Sequence, residues 1–215
     1  MRNIIKEVLD MKTILRVLLV SEMASTTGLS LIAPYFSIYL SGLGGIHSVA
    51  IATGIFLFTK AIFQLPIGKL MDENKIKKEA LILGGLITSV SYFWLMFIDN
   101  ILNIYFLQFF LALGSVFSYL AFMSLFTRMI NVEKQTFSFG VYDAMVSLVD
   151  GLGAFIGGIL IAFIGFKTVF GIVAVLNLVS IIVVYFIKIP AQTQHQKPSL
   201  AQQIKVDASS DFHGD

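Results

Sequence analysis

The sequence predicts an all-α polytopic membrane protein with six membrane-spanning helices, and two observations support this fold class. The first is composition: 57% of the 215 residues are hydrophobic and only 13% are charged, with a mean hydropathy of +0.86. A soluble domain carries about 25% charged residues. The second observation is the order of the apolar stretches, whose short connections alternate in positive charge along the chain.

Six apolar stretches are each long enough to cross a bilayer, which requires about 20 mostly apolar residues. We number these predicted spans one to six in chain order. They are residues 17–40, 49–68, 80–98, 102–126, 138–164 and 168–187. Together they predict a six-helix transmembrane domain of residues 13–188. Residues 1–12 predict a short amphipathic helix lying on the membrane surface, and the polar residues 189–215 predict a disordered cytoplasmic tail.

Lysine and arginine predict the orientation of the spans, because cytoplasmic connections carry an excess of both. Of the 15 lysines and arginines, 13 lie in the N-terminal lead, in the connections after spans two and four, or in the tail. In a chain with six spans, these regions all lie on the same side of the membrane. The exceptions are Lys167, on the opposite side, and Lys60, inside span two. We therefore expect both termini to be cytoplasmic, in a multi-pass protein of the plasma membrane.

The composition argues against several classes of protein. The chain has no cysteine, and its three histidines are scattered without the spacing of a metal site, so we expect no metal and no cofactor. The sequence shows no set of a nucleophile and a base of the kind that an enzyme active site needs, so we expect no enzymatic activity. The lysines follow the ends of apolar runs rather than forming one basic face, which gives no support to nucleic-acid binding.

Four ionisable side chains lie inside the spans, where a charge costs about 3 kcal/mol and usually faces a bundle interior, a water-filled cavity or a partner. Glu22 is in span one and Lys60 in span two, with Gln64 on the same helical face as Lys60. Asp143 and Asp150 share one face of span five. Glu22 and Asp143 are near enough to the cytoplasmic ends to reach water. For Lys60 and Asp150, a structural ion pair and a functional role both stay open.

Span five also carries the sequence GAFIGG. Gly153 and Gly157, like Ala154 and Gly158, are small residues four apart, and such pairs allow two helices to approach closely. We expect tight helix packing here, with bending during a conformational change as the alternative. Pro34 in span one removes a backbone hydrogen bond and predicts a kink.

Spans one and two read LSLIAPYFSIYLSGLG and TGIFLFTKAIFQLPIGKLMDENKIKK, and in this order they resemble the major facilitator superfamily. The family's signature connection between its second and third helices reads G-x-x-x-D-R-x-G-R/K-R/K. The residues that match this gating loop are Gly68, Asp72, Lys77 and Lys78. Glu73 and Lys75 stand where the family prefers arginine and glycine.

Three further segments resemble motifs of the same family, and the resemblance covers residues 13–188. QFFLALGSVFSYLAFMSLFTR in span four is similar to the R-x-x-x-G-x-G segment, with Gln108 in place of the arginine that assists proton coupling. GAFIGG is similar to the antiporter motif G-P-x-x-G-G, with Ala154 in place of its proline, and suggests efflux. GFKTVF resembles the family's entry to its sixth helix.

The resemblance implies that the chain forms one six-helix half of a fold whose two halves enclose the transport site between them. We expect the other half to be a second copy of this chain or a separate homologous half. Family packing would then bring Lys60 of one half near Asp143 or Asp150 of the other. It would bring Asp72 near the start of the other half's fifth span, where the positive helix end favours a carboxylate.

The function that the resemblance implies is secondary transport of a small solute across the lipid bilayer by alternating access, with a proton as the candidate coupling ion. The residues expected to contact solute, to gate or to couple are Glu22, Lys60, Gln64, Gln108, Asp143 and Asp150. The alternative is a non-transporting membrane interaction or assembly subunit that keeps the fold. The substituted arginine of span four favours this alternative.

Overall fold

The computed structural model describes residues 13–74 and 76–186, and every regular element in these residues is a helix. The predicted surface helix of residues 1–12 and the predicted tail of residues 189–215 lie outside the described residues. We number the membrane helices H1 to H6. Their bounds are Thr13–Ile32 and Phe36–Gly44 for H1, Ile46–Asn74 for H2, Lys77–Leu95 for H3, Ile101–Met129 for H4, and Gln135–Phe186 for H5 (135–164) and H6 (166–186) together.

Four helical segments of the described chain are long and apolar enough to cross a membrane. They are Thr13–Gly44, Ile46–Glu73, Ile101–Met129 and Gln135–Phe186. The last is 52 residues long, and its break at Gly165 leaves two arms that each have the length of a bilayer crossing. H3 has 19 residues and begins with Lys77, Lys78 and Glu79, which lower its mean hydropathy. The predicted all-α polytopic fold is confirmed in these residues.

Two glycines with positive φ separate consecutive helices. Gly45 (φ 76°) follows H1, and Gly165 (φ 77°) divides H5 from H6. Glycine enters this region without the steric penalty that a Cβ would bring. The Gly45 N–H donates to the Ser41 carbonyl (2.9 Å) and closes the last turn of H1. Pro34 lies in the 3-10 turn Ala33–Tyr35, which interrupts H1 where the sequence predicts a kink.

H2 is longer than the apolar stretch that predicts it. It continues to Asn74, whereas predicted span two ends at residue 68. Gly68 and Asp72 therefore lie on the last turns of a helix rather than in a loop. Polar residues can continue a helix beyond the bilayer, so a fall in hydropathy marks the edge of the membrane and not the end of the helix.

The helices form one bundle in which H1 packs on H5 and H6, H3 packs on H4 and H6, and H2 packs on H4. The apolar core divides into two clusters along the bundle. One cluster includes Leu18, Met71, Leu125, Phe126 and Val184. The other includes Leu40, Leu95, Leu107, Phe170 and Val173. Along H1 and H6, a group of buried polar side chains lies between the two clusters.

Candidate functional site

A layer of polar side chains joins H1 to H6 between the apolar clusters. We call it the polar layer, and it consists of Ser21, Glu22, Ser25, Ser118, Asn177 and Ser180. The Ser25 hydroxyl donates to Asn177 Oδ1 (2.8 Å). The Ser180 hydroxyl donates to the Ser21 carbonyl (2.7 Å). These bonds satisfy polar groups that would otherwise be costly inside an apolar bundle.

The polar layer surrounds a small internal cavity of about 20 Å³. Four helices line it, with Glu22 and Ser25 from H1, Gly85 from H3, Ser118 from H4, and Asn177 and Ser180 from H6 among the lining residues. Within the described residues, the Glu22 carboxylate forms neither a hydrogen bond nor an ion pair. Glu22 therefore brings an unpaired carboxylate to a cavity that serine and asparagine side chains line together with the apolar residues Leu81, Ile181 and Val184.

Asp150 is held against H1 by a hydrogen bond. The Ser30 hydroxyl donates to its carboxylate, and one turn further along H5 the Tyr35 hydroxyl donates to the Ala154 carbonyl (2.7 Å). Asp150 remains exposed on the surface of the bundle. The carboxylate is thus hydrogen-bonded to H1 and still exposed on the surface of the bundle.

The glycines of GAFIGG lie against H1. A Cβ added at Gly153 would meet the side chain of Ser30, and one added at Gly157 would overlap the backbone carbonyl of Leu31. At Gly158 it would meet the Tyr35 hydroxyl. The small residues therefore face a helix of the same bundle, and their absent side chains allow the backbones of H1 and H5 to touch.

Tyr142 connects the two acidic positions of H5 to Glu22. Its phenol lies within electrostatic range of Glu22, Tyr119, Asp143 and Asp150. Asp143 is exposed, and in the described part of the chain it has no hydrogen bond or ion pair. The charges of Glu22, Asp143 and Asp150 therefore all act on this phenol.

Lys60 has no carboxylate partner among the described residues. It is half-buried on H2, and its Nζ lies over the ring of Phe56, 5.6 Å from the centroid. A cation over an aromatic face gains a modest electrostatic attraction. Gln64, one turn away on H2, is half-buried, and Gln108 on H4 is 5% exposed. In the described residues, neither Gln64 nor Gln108 forms a hydrogen bond with Lys60.

The residues that match the family's gating loop connect the ends of H2, H3 and H6. Lys77 Nζ lies 2.9 Å from Asp72 Oδ1, with the lysine side chain 5% exposed and the aspartate side chain 75% exposed. Lys78 donates to the Tyr185 carbonyl (2.8 Å) at the end of H6. Gly68 faces Leu120 of H4 at ordinary contact distance. Asp72 is therefore paired within the bundle and still accessible from outside it.

Sequence reasoning missed the helix that completes the polar layer. Asn177 and Ser180 lie in an apolar stretch without charge, whereas the predicted ionisable residues lie in spans one, two and five. The signal was present, because residues three apart share one face of a helix. Ser30, the hydrogen-bond partner of Asp150, was not predicted as a site residue either, because one serine in a span with many small residues does not stand out.

This fold and these side chains define the class of protein: a polytopic helical membrane protein with ionisable groups inside and on one side of a single bundle. Residues 18–210 match the Major Facilitator Superfamily. The chain belongs to this family, and the resemblance drawn from its motifs is confirmed. The match extends past residue 188, the predicted end of the transmembrane domain.

Two relatives illustrate the family membership. An uncharacterized MFS-type transporter of Methanocaldococcus jannaschii is 27% identical over 176 residues, which cover 79% of this chain and 44% of the relative. The multi-drug resistance efflux pump PmrA of Streptococcus pneumoniae is 28% identical over 189 residues, which cover 84% of this chain and 46% of the pump. The chain therefore spans about half the length of the curated relatives it matches.

Proposed function

We propose that this bundle is one half of a secondary active transporter that moves a small solute by alternating access. The proposal rests on one observation: the charged side chains within predicted spans two and five have no ion-pair partner in the described residues. Lys60 and Asp143 lie in membrane helices without an ion-pair partner in the described chain, and Asp150 is bonded only to a serine hydroxyl. Such charges mark solute or ion pathways in membrane proteins.

The partner in this proposal is a second six-helix bundle, from a second copy of this chain or from a homologous half. Two observations support it. The relatives are about twice as long as the region they share with this chain. In addition, only 17% of the apolar window of H2 is buried inside the bundle, against 44% for each of the other three candidate membrane segments. H2 thus offers a large free face to another bundle.

A charge exchange between H2 and H5 tests the pairing. Lys60→Asp should abolish co-purification of two differently tagged copies, because it would put like charges together across the interface. Adding Asp150→Lys, or Asp143→Lys, should restore it. Lys69→Asp is the matched control, since the Lys69 side chain is 78% exposed beyond predicted span two. Failure of both second substitutions to rescue assembly would exclude the pairing.

Proton coupling is the proposed energy source, with Glu22 and Asp150 as the carboxylates that bind the proton. A glutamine or asparagine of similar shape cannot exchange a proton. In proteoliposomes with an imposed pH gradient, Glu22→Gln or Asp150→Asn should therefore remove the pH dependence of solute flux. If both variants keep the wild-type dependence, neither carboxylate couples transport to protons.

The direction of transport in this proposal is efflux from the cytoplasm. GAFIGG in H5 supports it, and so does the similarity to a protein named as a multi-drug resistance efflux pump. Flux of candidate solutes out of intact cells is the direct measurement. A protein that assembles in the membrane and moves no solute in either direction would instead be an interaction or assembly subunit with the same fold.

A further inference from the structure

The cavity of the polar layer includes Glu22, which the proposed function assigns to proton binding, together with side-chain oxygens that this role does not use. It lies between H1, H3, H4 and H6 of one bundle. Its volume of about 20 Å³ is enough for one water molecule or one small ion, since a site needs about 10–15 Å³ for that purpose.

Two of the three serine hydroxyls at the cavity, those of Ser25 and Ser180, already donate their hydrogens, whereas Ser118 forms no hydrogen bond in the described residues. Ser25 donates to Asn177 Oδ1 and Ser180 donates to the Ser21 carbonyl. A serine hydroxyl has one hydrogen and two acceptor lone pairs, so toward the cavity these two oxygens can act only as acceptors. The Glu22 carboxylate, when ionised, also only accepts. The oxygens of Glu22, Ser25 and Ser180 therefore offer only acceptors to a bound group, and the remaining polar groups of the lining are the Ser118 hydroxyl and the Asn177 amide.

The charge of Glu22 requires a partner that the bundle does not supply. An ionised carboxylate inside a membrane protein is costly unless a positive charge balances it. No lysine or arginine in residues 13–74 and 76–186 forms an ion pair with Glu22. A proton on Glu22 removes this charge, as in the proposed proton coupling. When Glu22 is ionised, a water molecule would leave the charge uncompensated, whereas a monovalent cation would balance it and be coordinated by the oxygens.

We propose that this cavity binds one small monovalent cation, sodium, through the oxygens of Glu22, Ser25 and Ser180. Hard cations prefer carboxylate, hydroxyl and carbonyl oxygens as ligands. A single carboxylate balances a single positive charge, and the described residues hold no group of three or more acidic, histidine or cysteine side chains of the kind a divalent or transition metal would use. The small volume favours sodium over the larger potassium ion.

The test uses the detergent-purified protein without solute or gradient, so its outcome is independent of transport. Thermal unfolding is followed while sodium chloride replaces choline chloride at constant ionic strength. The buffer is alkaline, because a carboxylate must be deprotonated to bind a metal ion. A cation that binds only the folded state raises the unfolding midpoint saturably. We expect this rise with sodium and a weaker one with potassium.

Three variants assign the effect to the cavity. Glu22→Gln should abolish the sodium-dependent rise. Ser25→Ala keeps the carboxylate and should weaken sodium binding by about tenfold, the loss expected for one ligand contact. Glu79→Gln is the matched control: it makes the same change at an exposed position of H3 and should leave the sodium-dependent rise intact.

Binding of radioactive sodium to the immobilised protein provides a second readout if Glu22→Gln does not fold. Unlabelled sodium should displace the bound ion from wild type at lower concentration than from Ser25→Ala. The proposal is wrong if sodium and choline give the same midpoint, which would mean that the cavity holds water only. It is also wrong if Glu22→Gln keeps the full sodium effect, because the ion would then bind elsewhere.

Discussion

Asp150 and Ser30 form a hydrogen bond that joins H5 to H1. The Ser30 hydroxyl also lies 2.7 Å from the Thr26 carbonyl of its own helix. Because a serine hydroxyl has a single hydrogen, the two acceptors compete for it. A charged acceptor makes the stronger bond, so an ionised Asp150 draws the hydroxyl toward H5. Asp150 thereby holds H5 against H1 through the Ser30 hydroxyl.

Ser30→Ala removes this bond and should lower the free energy of unfolding by about 1 kcal/mol, the net contribution of one hydrogen bond. The measurement is the thermal unfolding midpoint of the detergent-purified protein. Ser147→Ala is the matched control, because Ser147 is exposed on the same helix as Asp150. An equal fall for both variants would contradict the assignment, since it would show that losing any hydroxyl has the same effect.

The sequence predicted which residues carry charge in the membrane but not what they contact. Glu22 and Asp150 stand out because charge is rare in an apolar run. Asn177 and Ser30 do not, because small polar residues are common in packed membrane helices. The partner of Asn177 is Ser25, 152 residues earlier in the chain. A contact over that separation depends on how the helices pack, which a single sequence does not specify.

At the scale of elements, H5 packs closely against H1 at the glycines of GAFIGG. The Gly153 and Gly157 pattern predicted a close helix contact, but it did not identify the neighbour, because any helix with a smooth face could fit. The structure identifies H1, and the contact extends from Ser30 to Tyr35. The same residues hold the 3-10 turn in H1 close to H5, so a shift of one helix would be transmitted to the other.

Gly157→Val should destabilise the bundle by about 1–3 kcal/mol, the usual cost of overpacking, because its Cβ would overlap the Leu31 carbonyl. Thermal unfolding in detergent measures this change. Gly151→Val is the control on the same helix, since no atom lies within 4 Å of a Cβ built there. If both variants lose stability equally, the cause is the helix propensity of valine and not contact with H1.

The ends of the helices differ from the predicted ends of the spans. Hydropathy predicted six spans, and four helical segments of the described chain are long and apolar enough to cross a membrane. It placed the end of the second span at residue 68, although H2 continues to Asn74. That difference matters for the gating-loop residues, because Asp72 then projects from a helix. Its ion pair with Lys77 joins the end of H2 to the start of H3.

At the scale of the whole molecule, the two ends of the bundle differ in their charged contacts. One end carries the Asp72–Lys77 pair together with Lys69, Lys78 and the other basic residues of its connections. At the other end, Lys167 lies 2.6 Å from Asp99 and links the connection after H3 to the start of H6. An acidic partner balances the single basic residue there, which leaves the positive excess on the first end.

This asymmetry predicts that the first end faces the cytoplasm, because cytoplasmic connections carry the positive excess. The chain has no cysteine, so one introduced thiol reports its own location. His47→Cys, in the first turn of H2, should react with a membrane-impermeant maleimide in intact cells. Glu133→Cys, in the connection after H4, should react only after the cells are permeabilised. Both side chains are exposed in the bundle, so burial would not explain a difference between them, and the reverse pattern of labelling would contradict the predicted orientation.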